Sequence, residues 1–257
     1  MRMIFFLIPM LIISCSADQT PSDNRQAPAS QSAQAARGDT VGNALSVEFV
    51  TGQFDFKTHD NFIQVDPQYA DKEIYLHKKT YEAFQAMADS AEADGITLTL
   101  ISGTRNFNNQ KSIWERKWDN SSADTDLDKA YEILEYSSMP MTSRHHWGTD
   151  IDLNDLNNSY FESGQGKEEY EWLQAHANDF GFYQPYTDKS LNDRTGYNEE
   201  KWHWSYLPLA RQYRTYYNEH LSNTDISGFK GSDLADEIDM VKNYVNGISA
   251  KIKQESK

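Results

Sequence analysis

Ser143-Arg144-His145-His146-Trp147-Gly148-Thr149-Asp150-Ile151-Asp152-Leu153-Asn154 places two imidazoles and two carboxylates within one short stretch, and Glu200-Lys201-Trp202-His203-Trp204 adds one more of each. In the first stretch, Asp150-Ile151-Asp152-Leu153 alternates. On a short strand, Asp150 and Asp152 would therefore share one face and Ile151 and Leu153 the other. Gly148 predicts a turn or a close backbone approach between the polar groups. Two His and one carboxylate, with water in the fourth position, form the ligand set of a catalytic zinc site. His145, Asp152 and His203 can supply that set. His146 competes with His145, since adjacent side chains on a strand point to opposite faces. Glu200 is left over as a carboxylate able to take a proton from the water. The pattern predicts a zinc peptidase.

The surrounding chain reads as alternating helices and short strands. Tyr81 to Ala93 carries Phe84, Met87 and Ala91 at helical spacing and stops at Asp94-Gly95. Ile96 to Ile101 alternates apolar residues with Thr and predicts a strand, which runs into Ser102-Gly103-Thr104-Arg105. Arg105 thus sits on a loop at a strand end, where a guanidinium can clamp a carboxylate or a developing oxyanion. A helix follows with Gln110, Ile113, Trp114 and Lys117. Further on, 168–177 reads as a helix, Phe182-Tyr183 as the start of a strand, 200–206 as a strand with Trp202 and Trp204 opposite His203, and 207–221 as a helix. Leu234, Ile238, Val241, Tyr244 and Val245 share helical spacing and predict one C-terminal helix over 233–252.

The N-terminal region belongs outside the fold. Arg2 precedes an apolar run, Ile4 to Ile13, too short to span a bilayer and suited to a signal-peptide core. The run ends in Ile12-Ile13-Ser14-Cys15, the pattern of a bacterial lipobox, so 1–14 is expected to be a lipoprotein signal peptide and Cys15 to carry diacylglycerol. Ser16 after the cysteine favours the outer membrane in a Gram-negative host. Residues 16–43 are rich in Ser, Ala, Gln, Asp and Pro and read as a disordered tether with an r.m.s. span near ~30 Å. The expected location is the cell envelope, on a membrane anchor facing the periplasm or cell wall. Cys15 is the only cysteine, so the metal must be held by N and O ligands. The formal net charge of −15 argues against nucleic acid and against binding anionic lipid through a basic face.

These residues resemble the VanY-type D-alanyl-D-alanine carboxypeptidases, a family of zinc peptidases related to VanX and to LD-carboxypeptidases of cell-wall metabolism. Their signature is Ser-x-His, two residues, Gly, three residues, Asp, then Glu-x-Trp-His further on. Here it is Ser143, His145, Gly148 and Asp152, then Glu200, Trp202 and His203. The family's upstream Ser-Gly-Tyr-Arg, with Gln five residues after the Arg, is matched by Ser102-Gly103-Thr104-Arg105 and Gln110. The resemblance spans roughly 75–215. It implies that His145, rather than His146, joins Asp152 and His203 in binding Zn2+. It also implies that Glu200 is the general base and acid, that Arg105 holds the substrate or its tetrahedral intermediate, and that Ser143 and Gln110 contact the substrate's terminal region. Two departures stand out. Asp150 replaces a usually small residue, so it either accepts a hydrogen bond from a ligand His or crowds the metal with negative charge. Thr104 replaces Tyr.

The expected fold is α+β: a small, mostly antiparallel sheet carrying the zinc site, flanked by helices, with the peptidase domain over 44–221 and a helical extension over 222–257. The implied reaction is hydrolysis of the bond to D-alanine in peptidoglycan stem peptides. The alternatives are an LD-carboxypeptidase, a peptidoglycan endopeptidase, or, in another class, a lipoprotein that binds cell-wall peptide without cleaving it.

Overall fold

The computed structural model describes residues 45–192 and 194–255. The signal segment, Cys15 and the tether expected over 1–43 lie outside the described residues. Among those described, no helix is long and apolar enough to cross a membrane.

The chain opens with α1 (Val47–Val50), then β1 (Phe62–Gln64) and β2 (Tyr75–His77), an antiparallel pair that leads directly into α2 (Lys78–Ala93). His77 caps α2, its Nδ1 accepting from the Lys79 amide at 3.2 Å. Then come β3 (Leu100–Ser102), α3 (Phe107–Asn120), α4 (Asp126–Ile133), β4 (Asp150–Leu153), α5 (Gly164–His176), β5 (Phe182–Tyr183), α6 (Lys189–Asn192), β6 (His203–Tyr206) and α7 (Leu207–His220). The chain closes through α8 (Ala235–Ile238) and α9 (Ala250–Glu255). A reciprocal capping box between Asn106 and Asn109 starts α3, which fixes where the loop bearing Arg105 ends and the helix begins.

Four strands form the sheet that carries the site, in the order β3-β4-β6-β5, with each neighbouring pair antiparallel. The strand period of two sorts the side chains. Ile151, Leu153 and Trp204 join Leu100 and Phe182 in a core with Phe84, Met87 and Ala91 of α2 and Trp172 and Leu173 of α5. Asp150, Asp152, His203 and Ser205 project to the other face, and all four are buried. Burial of these four groups strengthens the charge interactions among them.

Two expectations change in extent. The strand expected over 96–101 pairs only at Leu100–Ser102. Asn154, in the left-handed region at φ 63°, turns the chain away after β4. Its side chain and backbone then satisfy the groups before β3: Oδ1 accepts from the Thr99 amide at 2.8 Å, and Nδ2 donates to the Thr97 carbonyl at 2.9 Å. The single helix expected over 233–252 is broken into α8, a π-helical turn at Val241–Val245 and α9. Asp239 at φ 54° ends α8, and the Asn243 side chain donates to the Ile238 carbonyl at that break. The apolar spacing still does its work in pieces: Ile238, Tyr244, Ile248 and Ile252 pack in one core with Trp114, Tyr186 and Tyr197.

Candidate active site and metal centre

Backbone pairing assembles the centre. Asp152 on β4 and His203 on β6 are register partners, as are Asp150 and Ser205. His145 comes from a short 3-10 turn, Arg144–Trp147, ended by Gly148 at φ 67°. A Cβ at Gly148 would collide with the Phe62 ring and crowd the His77 amide, so the turn needs glycine for both conformation and space. Through this turn, the ligand atoms of His145, Asp152 and His203 come within 4.8 Å of one another, and all three residues are buried.

Each imidazole is fixed by its outer nitrogen. His145 Nδ1 lies 2.8 Å from the Gly103 carbonyl oxygen. A carbonyl only accepts, so Nδ1 carries the proton and the Nε2 lone pair faces Asp152 Oδ2, 3.4 Å away. His203 Nε2 lies 3.0 Å from Asp150 Oδ1, which turns Nδ1 toward Asp152 Oδ1 at 3.6 Å and Glu200 Oε2 at 2.9 Å. Burial opposes a charge on His203, but the hydrogen bonds to Asp150 and Glu200 and the charge of Asp152 outweigh it and push its pKa up to about 9. The pocket therefore favours a cation at the point where Nδ1, Asp152 and Glu200 meet. Asp152 Oδ1 is buried with no hydrogen-bond partner among the described residues. An orphaned carboxylate oxygen, the His145 Nε2 lone pair and a His203 Nδ1 whose proton a metal cation would replace together fit a divalent metal ion. The N/O donor set with borderline-soft imidazoles suits zinc.

Asp150 stands against His203 as a hydrogen-bond acceptor, the first of the two roles its position left open. It also receives Arg144 Nε at 2.9 Å, Thr149 Oγ1 at 2.6 Å and Ser205 Oγ at 3.1 Å. Burial alone would raise its carboxyl; the Arg144 guanidinium and the His203 bond win and hold it well below the usual carboxylate range. His146 stands outside the cluster of candidate ligand atoms. It is fully buried, its Nδ1 lies 2.7 Å from the Arg105 carbonyl, and burial lowers its pKa to about 3. With the Arg105 amide donating to the His145 carbonyl at 3.1 Å, the two histidines lace the Arg105 loop to the metal turn.

A cleft of about 580 Å³ opens over this centre, lined by His145, Asp152, His203, Glu200, Arg105 and Gln110. Burial pushes the Glu200 carboxyl up, against the pull of His203, which suits a group that must accept and return a proton. Arg105 Nη1 donates to Ser102 Oγ at 2.7 Å and sits 3.7 Å from Asp152 Oδ2, while its Nε has no partner among the described residues. Gln110 Nε2 donates to the Ser138 carbonyl at 2.8 Å, leaving a buried Oε1 unpaired among the described residues. Ser143 is buried, does not line the cleft, and its hydroxyl is likewise unpaired. Thr104 stays away from the cleft and donates its hydroxyl to the Tyr75 carbonyl.

Tyr186 escapes the motif reading, and Trp202 of the motif stands on a side other than the one expected. Tyr186 packs edge-on against His203, with ring centroids 4.8 Å apart, and its carbonyl accepts the Glu200 amide at 2.9 Å. Trp202, expected opposite His203, lines the cleft beside Tyr136. The reason is local: the His203 amide closes a turn onto the Glu200 carbonyl, so strand alternation begins only at His203. The turn-forming Glu200-Lys201 before an aromatic run was the one available signal.

The family model described as VanY: D-alanyl-D-alanine carboxypeptidase matches residues 73–209. This chain belongs to the VanY family. His145, Asp152, His203, Glu200 and Arg105 all fall within the matched span. A putative carboxypeptidase, YodJ, of Bacillus subtilis (strain 168) is 31% identical over 139 residues, covering 52% of this chain and 46% of the relative. A D-alanyl-D-alanine carboxypeptidase of Enterococcus faecalis (strain ATCC 700802 / V583) is 31% identical over 136 residues, covering 52% of this chain and 48% of the relative. The match thus spans about half the length of each relative. Among solved structures, VanYB in complex with D-alanine-D-alanine is 23% identical, with a TM-score of 0.47 over 64% of this chain and 92% of that chain. The matched span runs from just before β2 to the start of α7, and the broken C-terminal helices lie outside it.

Proposed function

We propose that this chain is a zinc-dependent carboxypeptidase that hydrolyses the bond to terminal D-alanine in peptidoglycan stem peptides. The observation that carries the reading is the meeting of His145 Nε2, the Asp152 carboxylate and His203 Nδ1 in one buried cluster, with Glu200 against it and Arg105 beside it. Family membership adds the substrate class.

His145, Asp152 and His203 would hold the zinc, which supplies Lewis acidity and makes water a competent nucleophile near neutral pH. Glu200 takes a proton from the attacking water as its oxygen bonds to the scissile carbonyl carbon. When the C–N bond breaks, the same carboxyl returns that proton to the departing amine. Arg105 stands where it can donate to the developing oxyanion or to the substrate's free carboxylate. The unpaired Arg105 Nε–H is a donor for that carboxylate and Gln110 Oε1 an acceptor for a substrate amide, both from the cleft wall, whereas Ser143 stands behind it. Asp150 and the Gly103 carbonyl keep the two imidazoles in the tautomers this requires.

The signal run, Cys15 and the tether extend the proposal: a lipid anchor at the membrane lets the domain reach nearby cell wall.

Mass spectrometry of the zinc-loaded protein with a muropeptide pentapeptide tests the reading. Loss of one alanine, stopped by chelator, is the expected result. A tetrapeptide control separates the D-alanyl-D-alanine activity from an LD-carboxypeptidase. Cleavage of neither, at one zinc per chain, would move the function to an endopeptidase of cross-linked peptides or to peptide binding.

A further inference from the structure

Helix α3 brings two cations to the cleft that the hydrolytic chemistry does not use. Arg116 and Lys117 line it at its exposed rim, on the same helix as Gln110. The acids of α3 are already engaged: Glu115 pairs with Lys111, and Asp119 with Lys230. Lys117 Nζ donates to the neutral Ser137 hydroxyl at 2.7 Å, and among the described residues neither Arg116 nor Lys117 pairs with a carboxylate. In a chain of formal net charge −15, two adjacent cations without acid partners are out of keeping with the rest of the surface. Burial lowers the Lys117 pKa, with Arg116 and Arg105 pushing the same way and Glu200 pulling against them.

The rest of the cleft narrows what those cations meet. Arg105, at the metal, can serve one carboxylate or the oxyanion. Gln110, two turns before Lys117 on α3, leaves a buried and unpaired Oε1 in the cleft wall. The aromatic pair Tyr136 and Trp202 adds an apolar surface. An occupant must therefore combine an extended, partly apolar body with hydrogen-bonding amides and a negative charge beyond its reacting end. A surface charge pair with no ligand would not need to share a cleft with orphaned polar atoms.

We propose that Arg116 and Lys117 form a second anion subsite, which binds a carboxylate that the substrate peptide carries in addition to its C-terminal one. The inference rests on the carboxypeptidase reading and gives it a preference for dicarboxylate acyl donors. In a stem peptide, that carboxylate can be on the side chain of the diamino acid or be the free α-carboxylate of the γ-linked glutamate.

The test uses matched stem peptides in which one or the other of these groups is present as acid or as amide. With zinc-loaded wild-type protein, kcat/KM should fall on the order of tenfold when the recognised carboxylate is amidated, less so at high salt. The arm that shows the fall identifies the source. The double variant Arg116→Gln/Lys117→Gln should lose the discrimination and hydrolyse acid and amide forms alike. Equal handling of all forms by wild type, or discrimination that survives in the double variant, overturns the subsite. The same peptides are titrated calorimetrically into zinc-loaded Glu200→Gln protein. Discrimination in binding, with no turnover by wild type, would keep the subsite and remove the carboxypeptidase reading. Turnover without discrimination would do the reverse, and absence of both overturns both.

Discussion

Asp152 stands directly across the β4–β6 ladder from His203, and the two side chains meet with His203 Nδ1 3.6 Å from Asp152 Oδ1. Two of the three candidate ligands are thus placed by strand pairing rather than by loops. A one-residue slip of that pairing would turn Ile151 or Trp204 to the polar face and strand the ligands in the apolar core. Burial of Ile151, Leu153 and Trp204 in that core and assembly of the centre are the same event.

Glu200→Gln keeps the size and the hydrogen-bonding reach of the side chain and removes its basicity. Zinc content, measured by elemental analysis, should stay at the wild-type level while kcat falls about 10²–10⁴-fold. Turnover near the wild-type rate in a variant that still holds zinc would show that another group moves the proton.

Asp150→Ala separates the buried ion pair from the metal. It leaves Arg144 unpaired in the interior and should cost roughly 3–5 kcal/mol in denaturant unfolding of the metal-free protein. It also frees the His203 ring, and zinc affinity from chelator competition should drop about 10–100-fold. Arg144→Met/Asp150→Ala should recover much of the stability and little of the affinity. Recovery of both together would mean that Asp150 serves only Arg144.

Gly148→Ala should destabilise the fold by roughly 2–4 kcal/mol, since it combines a left-handed backbone with overlap against Phe62 and the His77 amide. The thermal midpoint reads this directly. An unchanged midpoint would mean that the β2–α2 junction gives way at little cost.

The pH dependence of stability should show buried histidine. Burial, helped by the nearby charges of Lys79, His59 and Lys78, lowers the His77 pKa to about 4, against an ordinary value of 6.5. The unfolded chain therefore binds the proton first. The stability His77 contributes is present above pH 6.5 and is lost as pH falls through about 4, up to roughly 3 kcal/mol. His146, lowered to about 3, acts in the same direction. His77→Asn keeps an N-cap acceptor for the Lys79 amide and should flatten part of this slope in denaturant titrations between pH 4 and 6.5. A slope unchanged by the substitution would assign the acid loss elsewhere.

Much of the centre was legible in the chain because its chemistry depends on residue type and short spacing. The alternation of Asp150 to Leu153 separated polar face from core, and the Ser143–Asp152 and Glu200–His203 spacings matched a known signature. The choice of His145 over His146 came from that resemblance; in the structure both rings hold a backbone carbonyl through Nδ1, and it is His145 whose Nε2 faces Asp152 in the cluster. Asp150 was readable only as an ambiguity, because its partners Arg144 and Ser205 meet it across the ladder and along the turn. Tyr186, Trp202, Arg116 and Lys117 reach the cleft through tertiary packing and one local turn, which no single-chain period encodes. The break at Asp239 was hidden for the same reason: apolar spacing persisted through a segment whose backbone turns left-handed.

Diffraction from crystals grown with zinc, with anomalous data collected on both sides of the zinc absorption edge, is the most direct test of the centre. The account predicts one strong peak bonded to His145 Nε2, Asp152 and His203 Nδ1, with Glu200 beside it and His203 Nε2 still on Asp150. A peak that engages His146, or one that leaves Asp152 unbound, would contradict it.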